Sequence, residues 1–203
     1  MTIRLYIVRH GETEENAAGI LQGHIEGHLS ERGVLQAQQL REEIKHSLHP
    51  DRIFSSDLKR TVDTAKILNE AFHLPITTSP LLRERDWGEY TGRKIVGLPQ
   101  GAFPPSVETI AHMMERAGQF LQQLAEECQK SPEVHDILIV SHGVFSRCLL
   151  AAAARKSIHD IPILKNLEMR ETLLPLNFKA AIPIATQNEI NDTTSCLSHG
   201  KES

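Results

Sequence analysis

A chain of 203 residues is long enough to bury one hydrophobic core and does not require a second. Its 40% hydrophobic and 24% charged composition is that of an ordinary globular protein, and a formal charge of -4 gives no reason to expect nucleic acid as a partner. No apolar run approaches the roughly 18 residues a membrane span needs, and charges near the N-terminus exclude a signal-peptide core there, so no membrane association and a cytoplasmic location are expected.

Cys128, Cys148 and Cys196 are odd in number, far apart and without C-x-x-C spacing, so neither a disulfide framework nor a thiolate zinc site is expected. Eleven histidines raise the question of metal binding. His24 and His28 are four apart, but Gly23 and Gly27 interrupt any helix that would align them, and no metal site is expected.

In chain order, Ile3 to Val8 is a β-rich run that ends at Arg9-His10-Gly11, where the glycine can supply a tight turn. Ser30 can cap a helix from about Glu31 to His46, with Val34, Leu35, Ala37, Leu40 and Ile44 as its apolar stripe. A short strand is predicted over Arg52 to Ser55, then a helix from about Leu58 with Val62, Ala65, Ile67 and Leu68 facing inward. Ile76 to Thr78 reads as another short strand. The segment from Gly88 to Pro105 reads as a long surface connection of the kind that often carries specificity. A long amphipathic helix is predicted from Ser106 to about Lys130, then a buried strand over Asp136 to Val140, then an apolar helix through about Ala154. Residues 167–185 suit a final strand or hairpin whose register Glu168, Arg170 and Glu171 leave open. The polar stretch from Gln187 to Ser203 reads as a loose tail after a single domain over residues 1–186. Strands alternating with longer helices indicate an α/β fold with a largely parallel sheet.

Open α/β sheets place ligands beyond the C-terminal ends of their strands, so residues just after separate strands can meet. That rule connects Arg9 to Thr13 with Asn16, Ser55 to Thr61, Leu82 to Arg85, and Ser141 to Gly143. Two histidines, two arginines and a carboxyl group suit phosphate chemistry. R-H-G-E-T at 9–13, N-x-x-x-x-x-Q-G from Asn16 to Gly23, L-S-E-R-G at 29–33, S-S-D-L-K-R-T at 55–61, L-R-E-R-x-x-G-E-Y-x-G at 82–92 and V-S-H-G at 140–143 follow one another in order. On these motifs the chain, over residues 3 to about 155, resembles the histidine phosphatase superfamily, also called the phosphoglycerate mutase-like family. The resemblance implies a three-layer α/β/α sandwich around a mostly parallel sheet. Ser198-His199-Gly200 repeats the later tripeptide, yet no buried strand precedes it, so context selects His142 over His199.

The resemblance assigns His10 as the nucleophile that forms phosphohistidine, a role covalent catalysis permits. It makes Arg9 and Arg60 forks that hold phosphoryl oxygens, His142 and Gly143 part of the same cradle, and Glu84 the general acid. Asp86 and Glu89 are rival carboxylates. Asn16 is a donor to phosphate or a turn cap, Gln22 and Gly23 line the phosphate site or close a loop, and Arg85 contacts substrate or forms a salt bridge. The expected reaction is hydrolysis of a small phosphorylated metabolite without metal or cofactor. A mutase-type phosphoryl transfer and a non-catalytic phosphate-binding protein are the alternatives. The oligomeric state, a homodimer included, stays open.

Overall fold

The computed structural model describes residues 1–98 and 103–180. Strand β1 (Thr2–Arg9) alternates its exposure, with Ile3, Leu5 and Ile7 buried on one face. It pairs in parallel with β4 (Asp136–Ser141), whose residues from Ile137 onward are all buried, as suits a strand covered on both faces. Strands β2 (Arg52–Ser56) and β3 (Ile76–Ser79) extend the sheet beyond β4, giving the order β3-β2-β4-β1-β5. The last strand, β5 (Met169–Pro175), runs antiparallel to β1 and closes the other side. The predicted final strand is therefore present as one strand, with Leu174 fully buried and Leu173 54% exposed on the opposite face. Arg170, whose charge left the register open, instead forks onto Glu168 through Nε and Nη2 at 2.8 and 2.7 Å.

Helices α4 (Ile110–Gln129) and α5 (Gly143–Ala154) cover one face, where Met113, Leu121, Phe145 and Leu149 pack against Ile3, Leu5, Ile7, Ile137 and Ile139. Helices α2 (Glu31–Ile44) and α3 (Lys59–Asn69) cover the other, where Ala37, Ile44, Ala65 and Leu68 meet Val8, Ile53, Leu138 and Val140. Each large apolar side chain so buried contributes about 1.5–3 kcal/mol before the entropic cost of ordering it. The result is the expected three-layer α/β/α arrangement.

Several boundaries differ from the predicted ones for local reasons. Ser30 caps α2 as expected, its Oγ accepting from Gly33 N at 3.0 Å, but the helix ends at Ile44 and Leu35 is 65% exposed. Helix α4 starts at Ile110, not Ser106, because Thr109 takes the cap and accepts from His112 N at 3.1 Å. Val107 remains buried, but in the turn before the helix. The inner face of α3 includes Ala65 and Leu68 as predicted, whereas Val62 and Ile67 are only half-buried and Arg60, Thr61 and Thr64 take their place. A four-residue helix unpredicted from the sequence, α1 (Glu14–Ala17), follows the first strand and is closed by a capping box between Thr13 and Asn16. The Gly88–Pro105 connection is only partly a surface loop. Trp87 and Tyr90 are buried where it begins, and Phe103 meets both rings edge-on, with centroids at 5.5 and 6.0 Å. The tail expected over 187–203, Cys196 and His199 lie outside the described residues.

Candidate active site

The register of the sheet sets the site. Arg9 lies opposite Ser141 and Ser55 opposite Val140, so β1, β4 and β2 end level and the residues after them emerge side by side. His10 follows β1 and His142 follows β4. Their rings meet edge-to-face with centroids 5.3 Å apart, although 132 positions separate them in the chain.

His10 is 3% exposed and fixed from three sides. Its backbone N–H donates to Ser141 O at 3.0 Å, and its carbonyl accepts from Asn166 Nδ2 at 2.9 Å. Its Nδ1 lies 2.8 Å from Gly11 O. A carbonyl can only accept, so Nδ1 carries the hydrogen and the lone pair is left on Nε2. His142 is fully buried, and neither of its ring nitrogens has a hydrogen-bond partner in the protein. Both imidazoles are held well below the usual histidine range, first by burial and then by the charges of Arg60 and Arg9. Both are neutral at pH 7.

Arg60 reaches the site from the first turn of α3 and is 1% exposed. Its terminal nitrogens donate to the carbonyls of Ile25, Glu26 and Gly23, the last at 2.8 Å, while its Nε has no partner. Burial pushes its affinity for the proton down to about 10, against the opposing pull of Glu84, Glu15 and Glu26, and it remains a cation at neutral pH. Arg9 donates from Nη1 to Leu164 O at 2.7 Å, and its Nε is likewise unpartnered. Gly143 lets this guanidinium lie close, since a Cβ there would stand 3.3 Å from Arg9 Cζ.

The loop from Gly11 to Thr13 is seated on α2. A Cβ on Gly33 would stand 2.0 Å from Glu12 O, so only glycine allows the first turn of α2 to approach this backbone. Thr64 Oγ1 accepts from Gly11 N at 3.0 Å and donates to Arg60 O at 2.8 Å, tying the histidine loop to the arginine helix.

Glu84 arrives from the Leu82 to Arg85 segment. Its Oε1 accepts from Phe145 N at 3.0 Å and from Arg85 N at 2.9 Å, and its Oε2 accepts from Val144 N at 3.2 Å. The carboxylate thus takes the place of a side-chain cap at the start of α5, where the N-cap residue His142 makes no such bond. Of the rival carboxylates, Asp86 accepts from Gly88 N at 2.8 Å and Glu89 from Ser106 Oγ at 3.1 Å, each closing its own turn.

The remaining expected residues take different places. Gln22 is buried and donates to Thr13 Oγ1 at 2.7 Å, and Gly23 supplies a carbonyl to Arg60. Asn16 completes the α1 capping box. Arg85 is 3% exposed, with its guanidinium between the Trp87 and Phe103 rings at 4.7 Å from each centroid and its Nε donating to Glu108 O at 2.7 Å. Thr64, Gly33 and Asn166 were not predicted from the sequence. Thr64 and Gly33 stand within recognisable segments as small residues on a helix, and only the fold brings Asn166 to His10. Among the described residues no three histidine, cysteine, aspartate or glutamate side chains converge so as to hold a metal ion.

Comparison with known proteins matches residues 5–172 to the family model of the histidine phosphatase superfamily, branch 1. Among curated proteins the chain is 37% identical to the "Probable phosphoglycerate mutase GpmB" of Proteus mirabilis, over 73% of this chain and 74% of that one. Among solved structures it is similar to mycobacterial glucosyl-3-phosphoglycerate phosphatase, with 26% identity, a TM-score of 0.73 and coverage of 85% of this chain and 91% of the other. A phosphoglycerate mutase from Bacillus anthracis shares the fold at a TM-score of 0.74 and 21% identity, covering 87% of this chain and 90% of that one.

Proposed function

Because the chain belongs to branch 1 of the histidine phosphatase superfamily, we propose that it hydrolyses a small phosphomonoester, without a metal ion, through a phosphohistidine on His10. The observation that carries this reading is the hydrogen bond from His10 Nδ1 to Gly11 O. It leaves Nε2 unprotonated and oriented in a ring that burial keeps neutral, which is what a nitrogen nucleophile needs. Next to it, Arg9 Nε, Arg60 Nε and the nitrogens of His142 are buried donors or potential donors without protein partners. Unpaired groups of this kind cost about 1–3 kcal/mol each, and a phosphoryl group offers oxygens to all of them.

In the proposed reaction His10 Nε2 attacks phosphorus in line as the ester P–O bond breaks. Arg9, Arg60 and His142 stabilise charge on the equatorial oxygens. Glu84 Oε2, which accepts one backbone N–H where Oε1 accepts two, keeps a lone pair for the proton it gives to the leaving oxygen. Water then attacks phosphorus, returns a proton to Glu84 and releases His10 with its Nδ1 hydrogen still in place. Arg9, His10, Arg60, Glu84 and His142 are the proposed catalytic residues.

A second reading, phosphoryl transfer between positions of a phosphoglycerate, is favoured by the name of the Proteus mirabilis relative. One experiment separates the two. Purified protein, exhaustively chelated, is incubated with phosphoglycerates and a panel of sugar, amino-acid and nucleotide phosphates, and free phosphate and isomerised product are both measured. Phosphate release, with an acid-labile phosphoenzyme that is lost in His10→Ala, is the expected result. Dominant isomerisation would replace hydrolase by mutase, and loss of turnover on chelation would remove metal independence.

A further inference from the structure

Arg116 lies on the second turn of α4, away from every motif that points to phosphate chemistry, and its side chain is 12% exposed. Its guanidinium spans the backbone of the segment that carries Glu84. Nη1 donates to Leu81 O at 2.8 Å and to Arg83 O at 3.1 Å, and Nη2 donates to Glu84 O at 3.4 Å. Its other edge is held by Glu108, with Nε to Oε1 at 2.7 Å and Nη2 to Oε2 at 2.9 Å. Glu108 is itself anchored on the same segment. Its Oε2 accepts from Asp86 N at 3.1 Å, and its backbone N–H donates to Asp86 O at 2.8 Å. The Arg116 charge holds the Glu108 carboxyl below the usual carboxylate range despite burial, so the pair is ionised.

Phe145 connects this clamp to the acid. Its ring lies under the Arg116 guanidinium, 4.3 Å from Cζ to centroid, and its backbone N–H donates to Glu84 Oε1 at 3.0 Å. Glu84 is thus gripped from two sides. Helix α5 fixes its carboxylate, and Arg116 fixes the carbonyls at and before its own backbone. A planar fork with five donors can reach three carbonyls and a carboxylate together, whereas an ammonium group cannot.

We propose that Arg116 is a positioning residue for Glu84, one that sets the distance over which the acid delivers its proton to the leaving oxygen. The inference rests on the reading of Glu84 as general acid. Displacing a proton donor by about 1 Å is enough to cost on the order of 100-fold in rate. That loss falls only on substrates whose leaving oxygen needs a proton.

The test compares kcat/KM for ethyl phosphate, whose alkoxide must be protonated, with that for p-nitrophenyl phosphate, whose phenolate leaves as a stable anion. kcat/KM covers only the steps up to phosphoenzyme formation, and the ratio of the two substrates on one sample is independent of the fraction folded. Arg116→Lys keeps a positive charge beside Glu108 and is the primary variant, with Arg116→Ala as the second. Glu84→Gln is expected to lose about 100-fold or more on ethyl phosphate. Arg116→Lys is expected to lose about 10-fold or more on ethyl phosphate and less than about threefold on p-nitrophenyl phosphate. In the Glu84→Gln background it should cost nothing further on ethyl phosphate. Equal losses on both substrates, no loss on either, or full additivity with Glu84→Gln would overturn the proposal. If Glu84→Gln leaves the ratio unchanged while the His10 phosphoenzyme still forms, the inference falls and the hydrolase reading stands. If the wild-type protein forms no phosphoenzyme from either substrate, both fall.

Discussion

Two neutral imidazoles buried beside two arginines make the folded protein sensitive to acid in a calculable way. In the unfolded chain each histidine takes up a proton near its ordinary value of 6.5. In the folded protein His10 and His142 take one up only well below that, because burial and the charges of Arg60 and Arg9 oppose it. Between those limits the unfolded chain binds more protons, so stability falls as pH drops below about 6.5 and continues to fall until the folded imidazoles themselves protonate. One pH unit below 6.5, a histidine kept neutral by folding costs about 1.4 kcal/mol, and the pair costs about 3 kcal/mol. Against a typical total of about 5–15 kcal/mol that is a large fraction. The assay is urea unfolding in phosphate-free buffer at about pH 7.5, 6.5 and 5.5, for the wild type and for His142→Gln, which cannot titrate. The variant should lose about 1.4 kcal/mol less than the wild type between the upper and lower pH. Equal losses in the two proteins would show that His142 is protonated in the folded state at the ordinary pH, and the electrostatic account of the site would be wrong.

Gly33→Ala places a methyl carbon 2.0 Å from Glu12 O, which neither backbone can absorb without moving, so it should cost about 1–3 kcal/mol in urea unfolding and lower turnover by displacing the His10 loop. Wild-type stability in this variant would refute the close approach of α2. Thr64→Val keeps the shape and removes the acceptor of Gly11 N, with an expected cost of about 1–3 kcal/mol and a reduced kcat, checked by unfolding and phosphate release. Arg60→Lys should lose both rate and stability, because the guanidinium holds three carbonyls of residues 23–26 besides facing the proposed phosphate; a purely kinetic defect would show that those bonds contribute nothing.

The fold was legible where local pattern and burial agree. The run Ile137 to Val140 could only be a strand covered on both faces, and Ser30 could only cap what followed it. Histidines 10 and 142 were legible because each stands directly after such a strand, and the parallel register then leaves them no choice but to meet. What could not be read was polar packing. Periodicity assumes that a helix buries its apolar side, yet the first turns of α3 bury Arg60, Thr61 and Thr64 and leave Val62 and Ile67 half-covered. The same assumption started α4 too early, since Val107 is buried from a turn and Glu108 beside it is needed by Arg116.

Arg85 shows the limit of motif reasoning from another direction. It sits one position from Glu84, in a segment that matches the family pattern, and its guanidinium lies between Trp87 and Phe103. Its neighbour's carboxylate meanwhile occupies two N–H groups in the first turn of α5. A free helix N-terminus is a ready anion site, so placing Glu84 there removes backbone donors that a phosphate would otherwise use. The positive charge for the phosphoryl oxygens must then come from side chains, which explains why Arg9 and Arg60 are both buried with an unpaired Nε despite the cost of keeping a cation out of water. Loss of either arginine is therefore not compensated by the helix behind it, and acid and cradle are set by one arrangement of β4, α5 and the Leu82 to Arg85 segment.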